Sequence, residues 1–206
     1  MAESAQTKNI RDYYNKTAKA WADKLYEDDE TSAVLTTFFK MLPEKPRILD
    51  LCCGTGCEAM RMSTMGAKVV GLDFSEASVE IAREHNPDIP FIISDMLEDY
   101  SRIGEVDAVV CVAGIVHLRE DQLRKAFERM AQVVKPDGLV LLVFRDGNGR
   151  VDRMSDVEVD GEAYDRAFYA HNLEEIIAQS AGMFEFECLI DEPEPTIWLN
   201  AVLRRL

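Results

Sequence analysis

The amino-acid sequence predicts an α/β fold: a doubly wound, mostly parallel seven-stranded sheet with an antiparallel C-terminal hairpin and an N-terminal helical lid. The first observation is that short apolar runs rich in valine and isoleucine alternate with helix-compatible runs. Such runs are typical of parallel strands buried on both faces. The strand runs lie at 48–52, 68–72, 90–93, 107–112 and 139–144. The helical runs between them lie at 56–65, 75–85, about 96–102 and 120–134.

The second observation is that the end of the chain departs from this alternation. After a helix expected at 170–181, two strand-like runs at 184–190 and 196–203 are joined only by the short stretch 191–195. A connection that short cannot hold a crossover helix, so we expect the two strands to pair antiparallel. A turn at 135–138, which contains proline and glycine, is expected to separate the preceding helix from the fifth strand.

With 206 residues, the chain is expected to form one domain, 1–206. Its first part, 1–45, carries apolar residues at three- and four-residue steps over 8–28 and is expected to form the helical lid. The remaining part, 46–206, is expected to form the Rossmann-like core. A polar, acidic stretch near 145–168 interrupts this core. We expect a surface insertion there. For its acidic part, 152–165, we expect a solvated loop, with a substrate-facing lid as the alternative.

The acidic charge balance limits the partners of the protein. The formal net charge is −15 at pH 7, so nucleic acid or an anionic membrane surface would be repelled over most approaches. We interpret the charge as favouring solubility, and a preference for neutral or cationic small substrates is the alternative. No run of about 18 apolar residues could cross a bilayer, and the first residues lack the pattern of a signal peptide. We therefore expect a cytoplasmic protein that binds neither nucleic acid nor membranes.

The third observation is the run at 47–56, which is the stretch most informative about function. A short apolar strand that carries Asp50 leads into Gly54 and Gly56, and a helix-compatible segment follows. Glycines at such a strand-to-helix turn allow a ligand to approach the backbone closely. The carboxylate before them favours a cationic group over a phosphate, which points to a nucleotide-like cofactor with positive charge.

Three of the five cysteines, Cys52, Cys53 and Cys57, crowd this turn, so a metal site has to be considered. Their spacing lacks a second Cys/His pair at the intervals that zinc requires, and we therefore expect no metal. The five cysteines are also too few and too unevenly spaced for a disulfide framework.

Each of the first three predicted strands has an acidic residue at or near its end. Asp50 belongs to the first, Asp73 to the second and Asp95 to the third. Nucleotide-like cofactors bind beyond the carboxyl ends of parallel strands. The Asp73 carboxylate can accept both ribose hydroxyls, and Asp95 can accept an exocyclic amine while the neighbouring Met96 covers a base. Helix N-capping is the alternative, but it explains three successive strand ends poorly.

With these residues the chain resembles the class I S-adenosylmethionine-dependent methyltransferases, the seven-stranded type that acts on small molecules. The family's acid-x-Gly-x-Gly-x-Gly pattern is matched from Asp50 to Gly56, except that Cys52 replaces the first glycine. This departure is mild if the position only has to be small. The resemblance implies S-adenosylmethionine (SAM) as cofactor and S-adenosylhomocysteine (SAH) as its product. The cofactor-binding residues that it implies, including two from the lid helix, are Tyr14, Trp21, Asp50, Cys52, Gly54, Gly56, Asp73, Phe74, Asp95, Met96, Cys111 and Val112.

The resemblance further implies an enzyme that moves a methyl group from SAM to an oxygen or nitrogen of a small molecule by in-line displacement. Such chemistry needs alignment of two reactants and exclusion of water, but no covalent catalyst. His117, a few residues past the fourth strand, is the candidate catalytic base if the acceptor carries a proton. The alternative is a histidine at the rim that contacts cofactor or lid without titrating.

Two other functions stay open at this point. A SAM- or SAH-binding module without transferase activity would carry the same motifs, because the chemistry has no signature residues. The other is an NAD-binding oxidoreductase, since Gly54, Gly56 and Ala59 satisfy a loose form of its fingerprint. Asp50 would then face a pyrophosphate, and Asp95 would have no function. The sequence leaves the oligomeric state and the methyl acceptor open.

Overall fold

The fold is that of a computed structural model, which describes residues 4–27, 31–190 and 196–206. Within these residues, one central sheet is accompanied by two small two-stranded sheets. The strands, in chain order, are β1 (Arg47–Leu51), β2 (Lys68–Asp73), β3 (Phe91–Ile93), β4 (Val106–Val112), β5 (Val134–Arg145), β6 (Gly149–Arg150), β7 (Asp156–Val159), β8 (Glu162–Asp165), β9 (Tyr169–Ala170), β10 (Phe184–Leu189) and β11 (Trp198–Arg205). The α-helices are α1 (Ala5–Leu25), α2 (Ser32–Phe39), α3 (Cys57–Thr64), α4 (Glu76–His85), α5 (Glu120–Ala131), α6 (Asp152–Ser155) and α7 (Leu173–Ser180).

The central sheet has seven strands in the order β3–β2–β1–β4–β5–β11–β10. The strands from β3 to β5 run parallel, and β11 pairs antiparallel with both β5 and β10. The predicted fold class, including the antiparallel pair at the end of the chain, is confirmed. The expected connection at 191–195 lies outside the described residues. The strand order reverses between β1 and β4, and ligands of such sheets bind beyond the carboxyl ends of the strands at this point.

Both faces of the sheet are buried, which explains why the strand runs are continuously apolar. In β1, Ile48 and Leu49 are both fully buried although they belong to opposite faces. Phe127 from α5 is part of the core on one face, and Phe38 from α2 is part of the core on the other. Because apolar layers cover both faces, the ends of the strands are the places where polar groups can gather.

Helix α1 confirms the helix that was predicted over 8–28, with slightly earlier ends. The Ser4 hydroxyl caps it by accepting a hydrogen bond from the Thr7 amide at 3.0 Å. An acidic run at 27–30 follows this helix, and its last three positions, 28–30, lie outside the described residues. Among the described residues, no helix is long and apolar enough to cross a membrane. The buried residues of α1 are Ile10, Tyr13, Thr17, Ala18 and Ala22.

The helix expected at about 96–102 is wrong. The described residues of this stretch form no α-helix, and only a 3₁₀ turn at Ser101–Ile103 is present. Asp95 and Asp99 each accept the backbone N–H two residues ahead, at 2.8 and 2.9 Å. Such local side-chain bonds offer the backbone an alternative to the helix and stop it from forming.

The turn expected at 135–138 does not precede the fifth strand, because β5 already begins at Val134. The stretch instead bulges out of the strand: the register with β4 shifts here, and Asp137 has a positive φ of 62°. The ammonium group of Lys135 anchors the bulge, 2.6 Å from the Asp107 carboxylate. Proline and glycine therefore mark an irregularity inside a strand at this place.

The polar stretch near 145–168 is folded: its acidic part, 152–165, is mostly exposed as expected, but it is not a loop. It contains α6 and the antiparallel hairpin of β7 and β8. The Arg150 guanidinium bridges the two strands of this hairpin, 2.9 Å from both Asp156 and Asp165. The residues that follow, 166–168, are buried. This end of the stretch therefore belongs to the interior of the protein, near the carboxyl end of the sheet.

Candidate functional site

Asp50 lies in β1 at the point where the strand order reverses, and its side chain is buried. The carboxylate accepts the backbone N–H of Ala59 in α3, but its Oδ2 atom has no hydrogen-bond partner among the described residues. Burial, followed by the nearby Glu58 carboxylate, raises the pKa of Asp50 well above its usual range. A buried oxygen without a partner is costly. This atom is therefore available to a donor group supplied by a ligand.

Asp73, at the end of β2, fastens the glycine turn to the neighbouring strand. Its Oδ2 accepts the N–H of Gly54 and its Oδ1 accepts the N–H of Ser75, both at 2.9 Å. Burial raises the pKa of Asp73, although these backbone donors act in the opposite direction. Helix α4 is capped by the Ser75 hydroxyl, which accepts the Ser78 amide at 3.2 Å. The N-capping alternative therefore does not explain Asp73.

The two glycines of the turn are required for different reasons. Gly54 has a φ of 51°, and a Cβ placed there would meet nothing within 4 Å. Gly56 has a φ of 86°, and a Cβ there would lie 3.0–3.1 Å from atoms of Ala82, Asn86 and Phe91. Gly56 thus allows close packing, whereas Gly54 borders open space where a ligand can approach the backbone.

Cys52 is held in a strained backbone conformation. Its φ of 62° lies in the left-handed region that favours glycine, so the expectation that this position only has to be small is wrong. Its Sγ lies 3.6 Å from the Met96 sulfur. A hydrogen bond to Cys111, followed by burial, raises the pKa of the Cys52 thiol. All five cysteines are free, and the described residues contain no group of three or more His, Cys, Asp or Glu that could hold a metal ion.

The other predicted core residues gather at the same edge of the sheet. Asp95 follows β3 and accepts a backbone N–H at 2.8 Å, and the neighbouring Met96 is buried. Phe74 follows Asp73 and is half-buried. Cys111 is buried near the end of β4, and Val112 ends that strand half-buried. The structure thus brings the predicted residues of β1 to β4 together at the carboxyl ends of these strands.

The lid helix is tied to this edge by two residues that sequence reasoning missed. The side-chain oxygen Oδ1 of Asn15 accepts hydrogen bonds from the Ser75 hydroxyl at 2.8 Å and from the Ala77 backbone N–H at 3.1 Å. The Tyr26 hydroxyl, just past the end of α1, donates to the Thr55 carbonyl at 3.0 Å. Polar residues on an amphipathic helix are normally solvated, so the pattern alone offered no signal for these contacts.

The two lid residues that were predicted to contact the cofactor differ in their surroundings. Trp21 is half-buried, and the Lys24 ammonium lies 5.5 Å from its ring centre. Its place in the site stays a prediction. Tyr14 instead reaches the residues after β4, because its hydroxyl oxygen lies 2.8 Å from Nε2 of His117.

The contacts of His117 define its tautomer. Nδ1 lies 3.0 Å from the Arg166 carbonyl oxygen and 3.2 Å from that of Ala167. Carbonyl oxygens only accept, so Nδ1 carries the ring proton, and Nε2 accepts the proton of the Tyr14 hydroxyl. Burial lowers the pKa of His117 to about 4, and burial also raises the pKa of Tyr14 well above its usual range. The imidazole is therefore neutral at pH 7, and its lone pair is occupied by Tyr14.

Sequence reasoning also missed two residues that pack beside His117, namely Arg166 and Phe168. The Phe168 ring lies edge-on to His117, with 5.8 Å between ring centres, and edge-on to Trp198 at 6.3 Å. The Arg166 guanidinium lies 5.2 Å from the ring centre of Tyr13. The one available signal was a basic residue followed by an apolar pair in an otherwise acidic stretch. That signal is weak without a fold to show where the stretch leads.

Comparisons with known proteins agree with this geometry. A family model of the methyltransferase domain matches residues 48–138. The chain is 37% identical over 105 residues to putative methyltransferase YqeM of Bacillus subtilis (strain 168), covering 48% of this chain and 42% of that protein. It is 32% identical over 114 residues to dTDP-4-amino-2,3,4,6-tetradeoxy-D-glucose N,N-dimethyltransferase of Saccharopolyspora spinosa, covering 55% of this chain and 46% of that protein. These matches span less than half the length of either relative.

A solved structure of a DhpI–SAH complex has a similar fold, with a TM-score of 0.78, 22% identity and 96% of each chain covered. The glycine turn and the three strand-end acids all lie inside the segment that the domain model matches. Residues 48–138 thus match a methyltransferase domain, and the seven-stranded sheet has the fold of the class I SAM-dependent methyltransferases. The resemblance that was stated from the sequence is confirmed.

Proposed function

We propose that this protein is an enzyme that transfers a methyl group from SAM to an oxygen or nitrogen of a small molecule and releases SAH. One observation carries the proposal: a carboxylate stands at or just after the carboxyl end of each of β1, β2 and β3, and that of Asp73 accepts the N–H of Gly54. Three carboxylates suit a ligand with an ammonium group, ribose hydroxyls and an exocyclic amine. They suit the pyrophosphate of a nicotinamide cofactor poorly.

The donor set of the site fits SAM group by group. Oδ2 of Asp50, buried and without a partner, suits an ammonium group. Asp73 accepts the backbone N–H groups of Gly54, Phe74 and Ser75. Because a carboxylate offers about four lone-pair positions, it keeps acceptor capacity that suits the ribose. Asp95 and Met96 suit the edge and the face of an adenine. Phe74, Cys111, Val112, Cys52 and the lid residues Tyr14 and Trp21 would complete the cofactor's surroundings.

When bound, SAM supplies a methyl group on a sulfonium, which is already a good electrophile with a neutral leaving group. The residues of this chain then have to orient the acceptor and exclude water. Correct alignment of two reactants is worth about 7–11 kcal/mol of barrier. Helix α1 supports this task because Asn15 and Tyr26 hold it across the glycine turn and the start of α4.

We propose that His117 positions Tyr14. This role differs from that of a catalytic base, which was expected from the sequence. Its lone pair accepts the Tyr14 proton, and its own N–H is held by the Arg166 and Ala167 carbonyls. A histidine with a pKa of about 4 is a weak base at pH 7. The Tyr14 hydroxyl, oriented in this way, would hold the acceptor through its oxygen, while the Tyr14 ring would border the cofactor.

The acceptor is proposed to be a small molecule. His117 contacts the lid helix through Tyr14 and the carbonyl oxygens of the buried residues 166 and 167, so packed side chains surround this side of the site. The relative from Saccharopolyspora spinosa is named for an amino sugar nucleotide, a small-molecule acceptor with a nitrogen nucleophile. We also propose that 1–45 and 46–206 act as one domain and that the protein works in the cytoplasm.

The proposal is tested by incubating the protein with SAM labelled in its methyl group and a metabolite extract. The expected result is a labelled small molecule that appears in proportion to enzyme and stops appearing when SAH is added in excess. SAH binding without any labelled product would instead favour a binding module, and binding of NADH without binding of SAH would favour the oxidoreductase alternative.

A further inference from the structure

Arg166 is a buried cation that has no counter-ion among the residues that the structure describes. Its residue is only 8% exposed. Its Nε donates to the Met154 carbonyl, and its Nη1 lies 3.5 Å from the Tyr13 hydroxyl, at the limit of a hydrogen bond. No carboxylate of the described residues lies within ion-pairing distance of the guanidinium. The other contacts of the guanidinium are aromatic: its carbon lies 5.2 Å from the Tyr13 ring centre and 5.4 Å from that of Phe168.

The guanidinium lacks a carboxylate partner among the described residues, and its nitrogens that make no hydrogen bond to the protein stay accessible from outside. Burial of a guanidinium is normally compensated by a carboxylate and a full set of hydrogen bonds. Arg166 has five N–H donors, of which the contacts above use two at most. The free donors form the planar fork that binds a carboxylate or a phosphate in bidentate fashion. Arg150, in the same stretch of chain, shows the contrast, because it is more exposed and yet pairs with Asp152, Asp156 and Asp165.

The position of Arg166 relates it to the methyl acceptor. The residue follows the hairpin inserted after β5, and its own carbonyl accepts the His117 N–H. Its charge acts on both members of the Tyr14–His117 pair, lowering the pKa of each. Asp50, Asp73 and Asp95, which suit the cofactor, belong to β1, β2 and β3 on the other side of the point where the strand order reverses. Arg166 therefore stands on the side of the site that the cofactor leaves free.

We propose that Arg166 recognises an anionic group of the methyl acceptor, so that the substrates of this enzyme are carboxylates or phosphate- or phosphonate-bearing small molecules. This inference rests on the proposed methyltransferase function and names its substrate class. It runs against the alternative drawn from composition, a preference for neutral or cationic substrates. The net charge of −15 describes the whole chain, whereas the acceptor would meet the local field of one desolvated guanidinium.

The cofactor is a second source of an anionic group for Arg166, because SAM itself carries a carboxylate. If Arg166 bound the cofactor, its removal would weaken SAH binding. If it binds the acceptor, its removal leaves SAH binding unchanged and lowers turnover. The comparison of SAH affinity with turnover therefore separates the two sources.

The experiment uses four forms of the full chain: wild type, Arg166→Gln, Arg166→Lys and the control Arg153→Gln. Arg153 is an exposed arginine of the same stretch, so its substitution removes one positive charge without touching the site. Each form is incubated with methyl-labelled SAM and with a metabolite extract separated on an anion-exchange column into unretained and retained fractions. SAH affinity is measured by titration calorimetry on each form, which also shows that each variant is folded.

The expected result is that wild type labels a product from the retained, anionic fraction. Arg166→Gln should lower the initial rate with this fraction about 100-fold or more, because removing one partner of a buried charge pair has effects of that size. Arg166→Lys should recover part of the rate, since it keeps the charge but loses the fork. Arg153→Gln should match wild type, and SAH affinity should stay within about twofold in all four forms.

Three results would overturn the inference while leaving the proposed function intact. Labelling from the unretained fraction alone would show that the acceptor is not anionic. An unchanged rate in Arg166→Gln would show that the guanidinium is not used, and a SAH affinity at least tenfold weaker in that variant would assign it to the cofactor. Absence of any labelled product while SAH still binds would overturn the proposed function and this inference with it, an outcome that the SAH titration distinguishes from the other three.

Discussion

The two halves of the proposed site, one for the cofactor and one for the acceptor, are built in different ways. The cofactor half, Asp50 to Gly56 with Asp73 and Asp95, consists of residues at the ends of consecutive parallel strands. The acceptor half, which comprises Tyr14, His117 and residues 166–168, joins the N-terminal helix, the loop after β4 and the end of an insertion. The Tyr14–His117 contact spans 103 positions of sequence, and that between Arg166 and Tyr13 spans 153.

The difference shows how the fold divides its tasks. The cofactor half is held by backbone hydrogen bonds within the sheet and turn, such as those that Asp73 accepts from Gly54 and Ser75. The acceptor half is held by side chains of elements that can change independently of the sheet. A constant donor site can thus be combined with a variable acceptor site, because substitutions in the lid or the insertion leave the strand ends intact.

Replacement of Asp73 should have the largest effect on the cofactor half. Asp73→Ala removes the proposed ribose contact and releases the turn, so we expect SAH affinity to fall at least about 100-fold, or roughly 2.7 kcal/mol. Asp99→Ala is the matched control, because Asp99 also accepts an N–H two residues ahead but is exposed. Titration calorimetry measures both. Equal SAH affinities in the two variants would contradict the ribose role.

Tyr14 and His117 should act as a unit in the acceptor half. We expect Tyr14→Phe and His117→Gln each to lower kcat/KM about 10- to 100-fold, and the double variant to lose little more than either, since both changes break one hydrogen bond. SAH affinity should change less than about threefold. A double-mutant cycle on labelled transfer measures the coupling. Additive losses would show that His117 acts without Tyr14.

The pH dependence of stability should also report on His117. Its folded pKa of about 4 lies below the usual 6.5, so between these values the unfolded chain binds more protons than the folded one. The contribution of this residue to stability is therefore lost as the pH falls from about 6.5 towards 4. His117→Gln removes this term, so wild type should lose more stability than the variant over that range in urea denaturation. Parallel curves would contradict the buried neutral imidazole.

A substitution at Gly54 should affect ligand binding more than it affects folding stability. Gly54→Ala places a Cβ in open space at a positive φ, so we expect a loss of about 1 kcal/mol of stability but a drop of at least about tenfold in SAH affinity. Thermal unfolding and calorimetry measure the two effects. If SAH affinity followed only the small loss of stability, the cofactor would not lie against this turn.

The smallest effect concerns the strain at Cys52. Cys52→Gly and Cys52→Ala both remove the sulfur that packs on Met96, but only glycine adopts a φ of 62° without strain. We expect the glycine variant to be more stable than the alanine variant by about 1 kcal/mol. The comparison of their unfolding midpoints tests this, and equal stabilities would show that the turn relaxes.

The cofactor half of the site was largely predictable from the sequence, whereas most of the acceptor half was not. The sheet, its antiparallel end and the strand-end acids were predictable because strand period, turn chemistry and strand-end position are local signals. The strain at Cys52 was not, since composition shows size but not dihedral angle. Asn15, Tyr26 and Arg166 could not be found because their roles arise from contacts between distant elements. The helix at 96–102 failed because side-chain bonds from Asp95 and Asp99 outweigh helix propensity.

The central claim is that the glycine turn and its three acids form a SAM site. Its most direct test is the thermal unfolding of the purified protein with SAH and, separately, with NADH. At about 100 times Kd, a ligand stabilises the folded state by roughly 2.7 kcal/mol, which for a chain of this size is a rise of about 5–10 °C in Tm. We predict this rise with SAH, none with NADH, and its loss in Asp73→Ala. A rise with NADH and none with SAH would contradict the claim.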